Sequence, residues 1–333
     1  MWDMLSMIFT TDLFFSVLRI TAPILLATLA ALICEKAGIS NIGLEGTMMI
    51  AALAGSLGAY YSGSWLVGLI LAIVAGMLVS AVMGFFAFNL KTDIILTGTA
   101  INMLGSGGTL FLIKVITGWT EGQQYASTNG MINQGLQIPT INIPLLKDIP
   151  YLGEIFSGHS LLTYVTFILV FLVWVMLYKT PLGLNIRSVG ENPNAASSVG
   201  ISITRIHYVA IILAGALAGM GGAFMSMYYA IGWSLDMVAG RGFIALAACA
   251  MGNNEPVGGM FASLIFGFAQ AVGIKFSAVG VDSNLVSPIP YIVTILGLVI
   301  FAVKSIRKAK RKQAANALED KGNVASGKET TDK

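Results

Sequence analysis

Glu35-Lys36-Ala37-Gly38-Ile39-Ser40-Asn41-Ile42-Gly43-Leu44-Glu45-Gly46 separates two long apolar runs, 13–34 and 42–62. The stretch reads as a stop, a turn and a restart. One apolar helix ends in two charged residues, the chain turns through Gly38, and a second helix begins at Ile42. Asn41 stands where an N-cap belongs, because its side-chain oxygen can accept from the free N–H groups of a first turn. Glu45 follows one turn into that helix, near the positive end of its dipole. A broken helix that presents free N–H groups and a carboxylate is one way to build a polar site at membrane depth. A tight interfacial turn with Glu45 salt-bridged or protonated is the plainer reading of the same residues.

The runs on either side make this a membrane protein. Of 333 residues, 56% are apolar and 11% charged, with a mean hydropathy of +0.81, whereas soluble domains carry about 25% charged residues. A spanning helix needs about 20 apolar residues. Runs 13–34, 42–62, 64–88, 94–117, 159–178, 207–229, 257–275 and 289–304 meet that need, the last only by borrowing from the preceding loop. A further piece, 242–252, is too short to cross alone. The expected fold is all-α and polytopic, with eight full spans and one short or broken one, within a range of about 8–10 transmembrane helices. The first twelve residues hold Asp3 and Asp12 and no Lys or Arg, so no cleavable signal is expected and the first run stays as a span.

Positive charge sets the orientation. The tail 304–333 holds Lys304, Arg307, Lys308, Lys310, Arg311, Lys312, Lys321, Lys328 and Lys333 and is expected in the cytoplasm. Alternation then places Lys36, Lys91, Lys179, Arg187 and Arg205 inside as well, and the N-terminus outside. Arg19, Lys114 and Lys275 fall toward outer ends of spans, where long side chains snorkel to headgroups. The expected organisation is a transmembrane domain, 1–303, with an outer loop 118–158 and an inner loop 179–206, followed by a basic, disordered tail, 304–333. The tail's early basic residues suit anionic membrane lipids.

No G-x-S-x-G, H-E-x-x-H, C-x-x-C or Walker A pattern occurs. Cys34 and Cys249 lie singly in apolar stretches, and His159 and His207 lack a carboxylate or Cys at ligand spacing. The chain does not read as an enzyme, and no cofactor, metal or nucleic acid is expected to bind it. The polar interruptions of the spans carry the information instead, since each is costly in lipid unless paired or facing water.

The second interruption runs Ala239-Gly240-Arg241-Gly242-Phe243, then a short helix 244–251, then Gly252-Asn253-Asn254-Glu255-Pro256-Val257-Gly258-Gly259. It enters from the outer side, whereas the first enters from the inner side. Paired, Gly-interrupted segments in opposite halves are a pointer to a transport pathway. Asn41, Glu45, Asn102 and Gly242 are the candidate pathway residues; Asn102 can line a pore or hydrogen-bond a neighbouring helix. Gly215-x-x-x-Gly219 lets run 207–229 approach a neighbour closely. In the inner loop, Asn192-Pro193 marks a helix start with Pro at the first position. Residues 193–199 then form a short helix of small residues bracketed by Gly190 and Gly200, suited to docking in another protein's cleft.

Taken together, three segments resemble the permease subunits of bacterial ABC importers of the branched-chain amino acid, ribose and nucleoside group. They are Glu35-x-Ala37-Gly38-x-x-Asn41-Ile42-Gly43-Leu44-Glu45-Gly46, Gly190-Glu191-Asn192-Pro193-x-Ala195-Ala196-x-x-x-Gly200-Ile201, and Gly240-x-Gly242-Phe243-x-Ala245-Leu246-Ala247 with Pro256-x-Gly258. The resemblance covers roughly 13–303, and Asn41-Ile42-Gly43-Leu44-Glu45-Gly46 is most similar to the nucleoside and simple-sugar branch. It implies a type II-like importer permease and a translocation pathway for nucleosides, or alternatively for ribose-like sugars. It also implies three partners: a cytoplasmic ABC ATPase, often of two fused cassettes; a second permease subunit; and an extracellular substrate-binding lipoprotein. Gly190, Glu191, Asn192, Pro193, Ala195, Ala196 and Gly200 would then form the helix that couples to the ATPase. An ion-coupled secondary transporter is the alternative of another class, since broken helices and Glu45 suit it too. A membrane scaffolding subunit would leave both broken segments unexplained.

Overall fold

A computed structural model describes residues 10–142 and 152–278, together with scattered positions between 292 and 299. The expected tail 304–333 and nearly all of run 289–304 lie outside the described residues, as do 143–151 of the outer loop. Residues Met1–Pro290 form one compact unit. In the second unit, Tyr291–Lys333, the described positions, such as Ile292 and Ile295, are helical.

The first unit is built from α1 (Thr11–Lys36), α2 (Leu44–Ser62), α3 (Trp65–Asn89) and α4 (Ile94–Thr120), then the short α5 (Leu152–Phe156) and α6 (Leu161–Lys179). It continues through α7 (Pro181–Glu191), α8 (Pro193–Ser198), α9 (Ile203–Tyr229), α10 (Arg241–Met251) and α11 (Pro256–Ala278). A two-residue antiparallel pair, β1 (Thr140–Ile141) with β2 (His159–Ser160), joins two parts of the chain between α4 and α6. Among the described residues, six helices are long and apolar enough to cross a membrane: α1, α3, α4, α6, α9 and α11. Helix α2 has 19 residues but dilutes its apolar character with Glu, Gly, Ser and Tyr. The chain is thus an all-α polytopic membrane protein, with α10 as its short, interrupted piece.

Helix α1 is the axis. It is buried along nearly its whole length, and α9, α10, α11 and α6 pack around it. Helix α9 fills the space between α1, α2 and α3. In lipid no hydrophobic gain drives two apolar helices together, so close van der Waals contact must do so, and small residues permit it. Gly215 and Gly219 on α9 act in this way: a Cβ on Gly215 would stand 2.4 Å from the Gly76 carbonyl of α3, and one on Gly219 2.5 Å from the Ala72 carbonyl. Across the α1–α11 contact, the Thr28 and Ser263 hydroxyls hydrogen-bond at 3.0 Å. Helix α3 turns Leu66, Ile70, Leu78 and Phe85 outward, an apolar face suited to lipid.

The charges gather at the two ends. At one, Lys36 of α1 bonds Glu255 at 3.1 Å, Tyr178 of α6 donates to the same carboxylate at 2.5 Å, and the Arg187 guanidinium lies 4.8 Å over the Tyr178 ring. At the other, Asp12 pairs with Lys275, Thr11 donates to Glu154 at 2.7 Å, and Tyr61 meets Thr120 at 2.5 Å. Two cations expected to snorkel therefore have protein partners instead: Lys275 its aspartate, and Arg19 the face of Tyr229 at 5.4 Å.

Candidate functional site: two helix breaks joined by one carboxylate

The first break opens as the sequence reads and closes differently. Helix α1 stops at Lys36, and Gly38 turns the chain in the left-handed region at φ 77°. Asn41 does not cap the next helix. Its Oδ1 accepts from the Gly43 N–H at 3.1 Å, a side-chain turn that places Gly43 at the N-cap and starts α2 at Leu44. Asn41 is fully buried, and its Nδ2 reaches the Cys34 sulfur at 3.8 Å, folding the break back against the end of α1.

Glu45 is then the second residue of α2, and its carboxylate leaves that helix to reach the second break. Oε1 accepts from the Gly240 N–H at 2.8 Å and Oε2 from the Gly242 N–H at 2.7 Å. These are the N-cap residue and the second residue of α10. One carboxylate therefore serves two helix N-termini, its own and that of α10, and both dipole ends attract negative charge. Gly240 sits at φ 77°, and a Cβ on Gly242 would stand 2.6 Å from the Glu45 backbone nitrogen. The glycines of this break thus make room for the start of α2.

Asn102 bonds the neighbouring helix. From α4, its Oδ1 accepts from the Gly46 N–H at 2.8 Å and its Nδ2 donates to the Ile42 carbonyl at 3.0 Å. Gly46 N–H belongs to the first turn of α2 and has no partner within its helix. A Cβ on Gly46 would lie 2.3 Å from the Ile101 carbonyl, so α2 and α4 touch backbone to backbone here. A π-helical turn, Leu104–Gly108, follows at once in α4; such turns recur at functional sites. Asn41, Glu45, Asn102 and Gly242 thus meet around the start of α2.

Three features of the site were not visible in the sequence. Arg241 is buried, donates to the Val238 carbonyl at 3.0 Å and lies 5.0 Å over the Tyr229 ring. The segment before α10 is anchored by the loop 118–158: Thr128 N–H donates to the Trp233 carbonyl at 2.9 Å, and Trp233 N–H to the Thr128 hydroxyl at 2.5 Å. Ala239 and Ile231 in that segment have φ near 50°, a strained conformation for residues with a Cβ.

The loop 179–206 contains the short capped helix that its sequence implies. Asn192 caps α8, its Oδ1 accepting from Ala195 N–H at 3.1 Å, with Pro193 at the first helical position. Glu191, Asn192, Pro193, Ala195 and Gly200 are exposed, Ala196 is buried beneath them, and Val199 presents an apolar side chain that is 76% exposed. The sequence did not show where this loop rests. Gly190 packs against the first break, where a Cβ would stand 2.2 Å from the Lys36 carbonyl and 3.0 Å from Gly38 N. Beside it, a cleft of about 620 Å³ is lined by Glu35, Lys36, Tyr178, Arg187, Glu191 and Glu255, among others.

Spanning helices, two breaks meeting between them and a capped helix exposed at one end define a polytopic membrane permease. The chain belongs to the family of the branched-chain amino acid transport system permease component, which it matches over residues 13–304. It is 36% identical over 292 residues to the guanosine ABC transporter permease protein NupQ of Bacillus subtilis, covering 84% of this chain and 88% of that one. It is 31% identical over 312 residues to the nucleoside ABC transporter permease protein NupC of Lactococcus lactis, covering 90% and 95%. A putative glucose ABC transporter permease protein of Haloferax volcanii, TsgC13, is 29% identical over 329 residues, covering 91% and 96%. These relatives are named as transport permeases rather than enzymes.

Proposed function

We propose that this chain is the membrane-spanning permease subunit of an ATP-binding-cassette importer and forms the translocation pathway for nucleosides. The observation that carries this reading is the 36% identity to a guanosine permease across most of both chains. The Asn41–Gly46 segment, built into the joint between the breaks, supports it. In this reading Asn41, Glu45, Asn102 and Gly242 border the pathway. The loop of Gly190, Glu191, Asn192, Pro193, Ala195, Ala196 and Gly200 docks on a cytoplasmic ATPase of two fused cassettes, which performs the hydrolysis. A second permease completes the pathway, and an extracellular lipoprotein delivers the substrate. The end holding Lys36, Arg187 and Glu255 faces the cytoplasm together with the basic tail, and the N-terminus lies outside.

The test is uptake of labelled nucleosides and pentoses by cells with and without the gene, with the membrane potential collapsed and ATP maintained. Gene-dependent uptake of nucleosides in preference to pentoses supports the reading. Preference for pentoses transfers it to the sugar branch, in line with the Haloferax relative. Uptake that follows the ion gradient and ignores ATP refutes it.

A further inference from the structure

The Glu45 carboxylate lies within electrostatic reach of Arg241 and Asp236, and its hydrogen bonds run to the backbone. Both oxygens are spent on backbone N–H groups almost two hundred residues further along the chain. The strength of this contact lies in its geometry. Two short, charge-assisted hydrogen bonds to alternate N–H groups of one first turn fix the carboxylate against α10 as a two-point clamp. Gly242, without a Cβ, lets α10 come within van der Waals distance of α2. The strained Ala239 lies immediately before the clamp, and residues held at such φ persist only where surroundings over-determine them. On its other side, the start of α2 is held to α4 by Asn102. Six residues earlier the same break carries Gly38 and Ile39, and Gly38 touches the Gly190 backbone of the inner loop. A contact between two backbones, with no side chain between them, transmits displacement with little slack, because packed interiors are barely compressible.

The geometry points to Glu45 as a positioning residue: its carboxylate makes the two helix breaks one moving part, which the inner loop drives through the Gly190–Gly38 contact. The role of the loop as the ATPase-facing element rests on the proposed function, whereas the clamp itself does not. Displacement of Gly190 carries Gly38 and the segment to Gly43 with it, and Glu45 obliges the start of α10 to follow. Without the carboxylate, α2 moves and α10 stays, so ATP is spent without opening both halves of the pathway.

The test uses the full chain in complex with its ATPase, second permease and binding protein, reconstituted in liposomes. Spin labels are placed at Ser40→Cys and Phe243→Cys, both exposed positions; the native thiols of Cys34 and Cys249 are buried and stay unlabelled. In the complex with Glu45, the label separation stays narrowly distributed and nearly constant between nucleotide-free and ATP-analogue states. In Glu45→Ala the distribution broadens and the separation changes with nucleotide. Nucleoside imported per ATP hydrolysed falls about tenfold, the scale set by loss of a charged hydrogen bond. Glu45→Gln, which keeps the size and one acceptor oxygen, falls between the two and serves if the alanine variant does not fold. A merely structural role would lower uptake and hydrolysis together and leave their ratio unchanged. An unchanged ratio with unchanged label distances overturns the proposal, as does a raised KM for nucleoside at constant ratio, which would mark Glu45 as a substrate group. If the complex with Glu45 imports no nucleoside, the proposed function fails, while the label distances still report the clamp.

Discussion

Asn102→Ala isolates the contribution of one side chain to the first break. In the structure this amide satisfies the Gly46 N–H at 2.8 Å and the Ile42 carbonyl at 3.0 Å. Gly46 is buried, and its Cα lies against the α4 backbone, so its N–H loses its described acceptor when the amide is removed. A buried donor left unpaired costs about 1–3 kcal/mol, and the carbonyl of Ile42, a partly exposed residue, adds less. Taking about 2 kcal/mol, the equilibrium between the formed and the open start of α2 shifts by roughly thirtyfold toward open. The assay is maleimide alkylation of Thr47→Cys in native membranes, since Thr47 is 1% exposed and reacts only when the first turn of α2 opens. The comparison is made within the Thr47→Cys background, so the loss of the Thr47 hydroxyl bond to Gly43 cancels. Asn102→Ala should label roughly thirtyfold faster, on the energy just given. Asn102→Asp keeps an acceptor for Gly46 and places an oxygen against the Ile42 carbonyl, so it should restore part of the protection. An unchanged rate in Asn102→Ala would refute the view that this amide holds the break together.

Two further outcomes follow from backbone contacts. Gly215→Ala forces a methyl to within 2.4 Å of the Gly76 carbonyl and 2.5 Å of the Ser80 hydroxyl, and this overpacking should cost about 1–3 kcal/mol and lower the detergent-solubilised melting temperature; an unaltered melting temperature would contradict the α3–α9 packing. Gly190→Ala pushes a methyl to within 2.2 Å of the Lys36 carbonyl while leaving the exposed face of α8 untouched. The ATPase should still co-purify with this variant, because the exposed face of α8 is intact, while nucleoside uptake falls by about tenfold or more, the scale of a 1–3 kcal/mol strain; loss of ATPase binding would contradict the separation of docking at α8 from transmission through Gly190.

Much of the fold was legible because its signals are local. Apolar runs of spanning length, the stop at Glu35-Lys36 and the Asn192-Pro193 helix start each depend on a few consecutive residues, and helices form at each of them among the described residues, although α2, from run 42–62, is not among the six apolar enough to span. The small-residue spacing of Gly215 and Gly219 was legible for the same reason, although its partner on α3 was not. Asn41 shows the limit of a local rule. Its side chain binds a backbone N–H as a cap would, but at Gly43, so the helix starts two residues later than the pattern implied. Sequence alone cannot choose between a side-chain turn and an N-cap, because both satisfy the same donors with the same residue type.

The sequence by itself determined that the chain is an all-α membrane protein, that two of its helical segments are broken, and that a capped short helix lies in the loop 179–206. Only the tertiary structure decided that the two breaks meet, that Glu45 bonds the start of α10, that Asn102 braces the start of α2, and that Gly190 rests on Gly38. The reason is the nature of the partners. They are backbone N–H and C=O groups, which nearly every residue carries, so no residue type marks them in the sequence. They become specific partners only when helix packing brings one free first turn, one carbonyl or one bare Cα to the side chain that needs it.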